Sequence, residues 1–149
     1  MLDSDEFEEV SSPVAVWTSI RLFLALTTLY NLVLHQLDIN LAYLNAPLQE
    51  EIYMRPPPGS KTPPGLVWKL EKSLYGLHQS GKNWNELFTD VLKGSDFVFH
   101  QLGEDTCLFT RLVDDQITIL FIYVDDIYIA SSDPSYLENL RRLYRHILS

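Results

Sequence analysis

An α+β fold, an antiparallel sheet with helices packed mainly on one face, is predicted by three features of the sequence. Apolar residues recur at helical spacing in three separated stretches. Short runs rich in β-branched and aromatic residues, bounded by polar turns, lie between and after them. Their order is helix, strand, loop, strand, helix, several strands and helix, which suits one sheet with helices laid against it. At 149 residues, 46% hydrophobic and 21% charged, the chain has room for one domain with a real core.

The first helix follows the boundary at Ser11-Ser12-Pro13. Trp17, Ile20, Phe23, Leu24, Leu26, Leu29 and Tyr30 are spaced for a largely buried helix, with Thr18 placed to cap it. The stretch from Val14 to Leu34 approaches membrane-spanning length. Arg21, Asn31 and hydroxyl-bearing residues such as Ser19 and Thr28 lie inside it, and the cost of a central Arg in lipid favours a core helix. His35 to Asn40 reads as a short strand delivering Asp38 at the end of an apolar approach. Pro47 to Gly65 contains Pro56, Pro57, Pro58, Pro63 and Pro64 and predicts a surface loop, because proline lacks the N–H donor and fixes φ. A short strand at Glu51 to Met54 interrupts it.

Leu66 to Leu70 alternates in strand fashion. Gln79 to Lys93 then carries Trp84, Leu87, Phe88, Val91 and Leu92 on one helical face, with Gly94 as its stop. Strands are predicted at Phe97 to Phe99, Thr106 to Leu112 and Ile117 to Ile122, and Asp114-Asp115-Gln116 supplies a turn between the last two. A further strand, Ile127 to Ala130, precedes Asp133-Pro134, which opens a helix bearing Tyr136, Leu137, Leu140, Leu143, Tyr144 and Ile147.

Charge and cysteine content narrow the function classes. A net charge of -9 argues against a free-standing nucleic-acid binder, which needs a basic face to displace counterions from phosphates. Asp3, Asp5, Glu6, Glu8 and Glu9 concentrate part of that charge and predict a flexible acidic leader over residues 1–11, ahead of one domain over 12–149. Such a start is the opposite of a secretory signal, so no export is expected. The single cysteine, Cys107, excludes an internal disulfide and a cysteine-rich zinc site; it fits a reducing compartment and reads as a buried core thiol.

Two Asp-Asp pairs stand out, and their surroundings differ. Asp114-Asp115 is ordinary turn chemistry. Asp125-Asp126 instead interrupts two apolar strands, Ile119 to Val124 and Ile127 to Ala130, so two carboxylates sit at the tip of a hydrophobic hairpin. A plain tight turn is one reading. Against it, favoured two-residue turns use glycine or asparagine, and adjacent like charges repel by about 1 kcal/mol at 4 Å in water. The functional reading is a divalent-cation site, since Mg²⁺ takes hard oxygen ligands from one or two carboxylates together with substrate phosphates. Asp38, alone between Glu9 and Glu50 as an acid, is the candidate third carboxylate; on its own it also reads as a strand-end or cap residue.

Four ordered motifs then resemble copia-type LTR retrotransposon reverse transcriptases. They are Pro13-Val14-Ala15 with Ser19-Ile20-Arg21; Gln36 to Asn45, continued by Glu50 to Arg55 and Pro58-Gly59; Lys72 to Leu77 with Gln79 and Trp84; and Tyr123-Val124-Asp125-Asp126. The resemblance spans roughly residues 12 to 148. It implies a fragment of the reverse-transcriptase palm and fingers-side region from a Pol polyprotein.

By that resemblance Asp38, Asp125 and Asp126 are the catalytic carboxylates that bind two Mg²⁺ ions, with Mn²⁺ as a substitute. The implied reaction is attack of a primer 3′ hydroxyl on the α-phosphate of a deoxynucleotide. Tyr43 corresponds to the ring that packs on the sugar of the incoming nucleotide and excludes a 2′ hydroxyl, Gln79 to a nucleotide contact, and Tyr123 to a residue near the primer end. The implied partners are an RNA or DNA template with primer, deoxynucleoside triphosphates, and the remaining Pol segments: thumb, RNase H and integrase. No membrane is implied, and the location is intracellular, in a cytoplasmic virus-like particle or the nucleus. Val16 stands where the family commonly has Arg, Ala46 where Gly is common, and His78, Gly81 and Lys82 replace Lys, Pro or Ala, and Arg. Two of those changes remove a fixed positive charge. The alternative is therefore an inactive or co-opted transposon remnant, and the segment expressed alone is expected to polymerise poorly or not at all.

Overall fold

The computed structural model describes residues 17–94 and 97–147. The acidic leader, Pro13-Val14-Ala15 and Val16 lie outside the described residues, as do the side chains of Leu143, Tyr144 and Ile147. The elements are α1 (Trp17–Leu29), β1 (Val33–Asp38), the single turn α2 (Ala42–Asn45), β2 (Pro47–Met54), β3 (Trp68–Lys72), α3 (Ser80–Lys93), β4 (His100–Gln101), β5 (Leu108–Val113), β6 (Gln116–Tyr123), β7 (Asp126–Ser131) and α4 (Pro134–Ile147). Five strands form a sheet in the order β1-β7-β6-β5-β4, antiparallel throughout, and β2 and β3 pair as a separate ribbon. The architecture is the α+β arrangement expected.

The unbroken apolar run of β6 has a simple cause. The strand is central and covered on both faces, so Thr118 to Ile122 are all buried and no polar alternation is needed. On one face Leu120, Ile122, Ile127 and Ile129 meet Trp84, Phe88 and Leu92 of α3 and Leu137 and Leu140 of α4. On the other, Ile119, Phe121 and Ala130 pack with Phe23 of α1, Leu32 and Cys107. Helices thus lie mainly on one face, with α1 opposite. Cys107 is the buried thiol expected, and burial pushes its pKa up.

Several expectations are corrected. α1 is not largely buried: Ser19, Phe23 and Thr27 form its buried stripe at a spacing of four, while Trp17 and Leu29 are each 73% exposed. One stripe suffices because the helix is covered on one side, by the sheet and by Asp105 of the β4–β5 connection, which accepts from the Ser19 hydroxyl. Thr18 lies inside α1 rather than capping it. Phe97 to Phe99 is not a strand, because Val98 takes a left-handed φ of 56° that breaks any extended run. Phe97 and Phe99 are nonetheless buried, as plugs beneath α3. β2 begins at Pro47 inside the segment read as loop; proline is tolerated there as the first residue of an edge strand. Asp114 and Asp115 do form the β5–β6 turn, both with positive φ, 50° and 61°. No helix among the described residues is long and apolar enough to cross a membrane.

Asp133 caps α4. Its Oδ1 accepts from the Ser135 N–H at 2.9 Å, the Ser135 hydroxyl at 2.6 Å and the Tyr136 N–H at 3.3 Å, and the Ser135 bond first among these holds its pKa below the usual aspartate value. A depressed folded-state pKa stabilises the fold above the ordinary aspartate range and stops doing so as the carboxyl protonates. Asp133→Ala is therefore expected to lower Tm at neutral pH, with the gap to the parent closing as pH falls through that lowered pKa. Melting curves across an acid series check this.

Candidate active site at the β6–β7 hairpin

The turn is Val124-Asp125, flanked by the paired residues Tyr123 and Asp126. The sequence predicts both aspartates at the tip; the register puts Asp125 there and makes Asp126 the first residue of β7. Val124 carries a φ of 54°, at the position where favoured two-residue turns need positive φ and take glycine, asparagine or aspartate. A β-branched residue held there costs on the order of 1–3 kcal/mol, so its surroundings must enforce the conformation. Two bonds do so. Trp84 Nε1 of α3 donates to the Val124 carbonyl at 2.9 Å, and the Ile39 N–H, just past β1, donates to the Asp125 carbonyl at 2.9 Å.

Asp38 is the last residue of β1 and pairs directly with Asp126. Directly opposed residues of antiparallel strands point to the same face, so Tyr123, Asp126 and Asp38 stand in a row across β6, β7 and β1. Gln36, two residues before Asp38, donates from Nε2 to Asp126 Oδ1 at 2.9 Å. The convergence of residue 38 with the 125–126 hairpin, which the sequence reading required, is present at the level of the backbone.

Asp125 faces a pair of tyrosines. The Tyr75 hydroxyl donates to its Oδ2 at 2.9 Å, while Oδ1 is buried without a hydrogen-bond partner. The rings of Tyr75 and Tyr43 lie 4.5 Å apart between centroids. Withdrawal from water, then the bond to Asp125, pushes the Tyr75 hydroxyl up to about 12. Tyr43 is raised as well, by burial first and by the nearby Asp125 charge second. Tyr43 therefore neighbours the hairpin. Gln79 sits at the start of α3, but its amide donates to Glu50 Oε2 at 2.7 Å and not to any of the three aspartates.

The donor set suits a hard divalent cation, being carboxylate oxygen throughout with one buried oxygen left unpartnered. Backbone register makes the three aspartates neighbours; their side chains are not gathered, since among the described residues no three acidic, His or Cys side chains stand close enough to hold an ion. Sequence reasoning missed Trp84 and Tyr75 as parts of this site. Both belong to the third motif, but neither letter signals a bond to a turn 40 or 50 residues away.

A family model described as reverse transcriptase (RNA-dependent DNA polymerase) matches residues 2–147. The chain is 37% identical over 139 residues to the retrovirus-related Pol polyprotein from transposon TNT 1-94 of Nicotiana tabacum, covering 91% of this chain and 10% of that protein. It is 38% identical over 136 residues to the corresponding polyprotein from transposon RE1 of Arabidopsis thaliana, covering 90% and 9%. A transposon Ty1-DR5 Gag-Pol polyprotein of Saccharomyces cerevisiae is 39% identical over 108 residues, covering 69% of the chain and 6% of the polyprotein. The chain spans about a tenth of the length of the first two relatives. No solved structure matches it. With the match running almost end to end, and with the Tyr-Val-Asp-Asp hairpin set beside Asp38, the chain belongs to the reverse transcriptase family carried by the Pol polyproteins of copia-type retrotransposons.

Proposed function

We propose that this segment is the palm, with adjoining fingers-side region, of an RNA-directed DNA polymerase that adds deoxynucleotides to a primer 3′ hydroxyl. The observation that carries the reading is the row Tyr123-Asp126-Asp38, with Asp125 in the turn beside it. Two carboxylates directly opposed on one face repel, and a fold that keeps them with no basic side chain among the described residues bonded to either has a use for that negative charge.

Asp38, Asp125 and Asp126 would hold Mg²⁺, or Mn²⁺ in its place. Bound there, a pair of such ions supplies activation of the attacking hydroxyl and charge stabilisation of the departing pyrophosphate. The protein's part is to orient. Asp38 is fixed at the end of β1 by strand pairing, and Asp125 by the bond from Ile39 to its carbonyl. Tyr43, backed by Tyr75, would present a ring to the sugar of the incoming nucleotide. Tyr123 is 50% exposed at the head of the row, where a primer end can reach it. Gln79 would leave Glu50 to contact the nucleotide. The partners are a primed RNA or DNA template, deoxynucleoside triphosphates and the other Pol segments. These would also bring basic surface to offset the net charge of -9 carried by this chain.

Primer extension on an RNA template with Mg²⁺ or Mn²⁺, with the segment joined to the remaining Pol segments and the parent compared with Asp125→Asn, tests the reading. Incorporation that disappears in the variant is the expected result. Incorporation that survives removes Asp125 from the site. Failure of both proteins, alone and joined to the remaining Pol segments, favours an inactive transposon remnant.

A further inference from the structure

The contact between Tyr75 and Asp125 joins two stretches of chain 50 residues apart, and it is made by a hydroxyl to which the polymerase reading gives no role. Tyr75 lies in the bend between β3 and α3, followed by Gly76 with a φ of 102° that lets the chain turn back. Its ring is braced against Tyr43 and its hydroxyl reaches one carboxylate oxygen of Asp125. Asp125 has few other restraints. Its backbone is held at the carbonyl by Ile39, but a carboxylate on a two-residue turn is free to rotate about both side-chain bonds unless something fixes it.

We propose that Tyr75 is a positioning residue for Asp125: its hydroxyl holds Oδ2 and leaves Oδ1, buried and without a protein partner, as the oxygen offered to a divalent cation. This rests on the reading of Asp125 as a metal ligand. The physical case is that a ligating carboxylate binds more tightly when its second oxygen is already oriented by a hydrogen-bond donor, because less freedom is lost on binding. A tyrosine is suited to the task. It donates one bond from a rigid ring and carries no positive charge to compete with the cation.

The test is Mn²⁺ binding to the whole 149-residue chain, followed by the electron paramagnetic resonance signal of free Mn²⁺, for the parent, Tyr75→Phe and Asp125→Asn, with a melting curve for each. Phenylalanine keeps the ring against Tyr43 and removes only the donor. The expected result is a Kd for Mn²⁺ raised about tenfold in Tyr75→Phe, with an unchanged melting curve, and a larger loss in Asp125→Asn. If Asp125→Asn weakens binding but Tyr75→Phe binds as tightly as the parent, or more tightly, the role given to Tyr75 is wrong and the metal site stands. Weaker binding in Tyr75→Phe accompanied by a lowered melting temperature also overturns it, since a purely structural contact would do both. If the parent shows no saturable binding, or Asp125→Asn binds like the parent, the metal reading itself fails and the role of Tyr75 falls with it.

Discussion

Trp84→Ala is expected to cost about 3–5 kcal/mol in folding free energy from the cavity and lost contacts, and a further 1–3 kcal/mol from leaving the Val124 carbonyl without its donor. Small domains have roughly 5–15 kcal/mol in all, so this one substitution brings the chain near to unfolding. The size follows from two tasks meeting in one side chain. Trp84 is 2% exposed, packs on Phe88 with ring centroids 5.4 Å apart, and holds the strained hairpin turn through Nε1. Trp84→Phe separates the tasks, keeping most of the ring and losing the N–H, and is expected to cost only the second amount. Urea denaturation of the three proteins, read by far-UV circular dichroism, checks both figures. Equal stabilities for Trp84→Phe and the parent would show that the bond to Val124 carries no weight.

Asp38→Asn is expected to move stability and activity in opposite directions. Asp38 and Asp126 are paired across β1 and β7, and among the described residues no basic side chain bonds either of them. Removing one charge relieves a like-charge pair and should stabilise the metal-free fold by a few tenths of a kcal/mol. The same change removes a proposed cation ligand, which should lower metal-dependent nucleotide addition by about a thousandfold or more, the equivalent of several kcal/mol of transition-state stabilisation. Thermal melting in the presence of a chelator gives the first quantity. Primer extension, with the segment joined to the rest of Pol, gives the second. A variant that melts earlier than the parent, or that extends primers at the parent's rate, contradicts the account of Asp38. An increase in stability at the expense of activity is what a site built from repelling groups produces.

How far the fold could be read from the letters depended on where the relevant forces act. Each of the long helices and the β5–β6 and β6–β7 hairpins is set by local pattern: α3 by an apolar face ending at Gly94, β6 by an unbroken β-branched and aromatic run, the Asp114-Asp115 turn by residues that tolerate positive φ. Phe97 to Phe99 failed because two aromatics at alternate positions look like a strand whether they pair or merely plug a core. Seven apolar residues between Trp17 and Tyr30 predict a buried α1, whereas its burial depends on how many of its faces the rest of the fold covers.

The site divides along the same line. The sequence by itself established the family, through four motifs in order, and named the three aspartates and the hairpin to which two of them belong. Only the tertiary structure decided that Asp38 opposes Asp126, that Val124 rather than Asp126 occupies the turn, and that Trp84 and Tyr75 reach the hairpin from other elements. Motif letters record which side chains are present along the chain; strand register and side-chain reach across 40 to 90 residues are set by the packing of the whole core, which no local stretch contains.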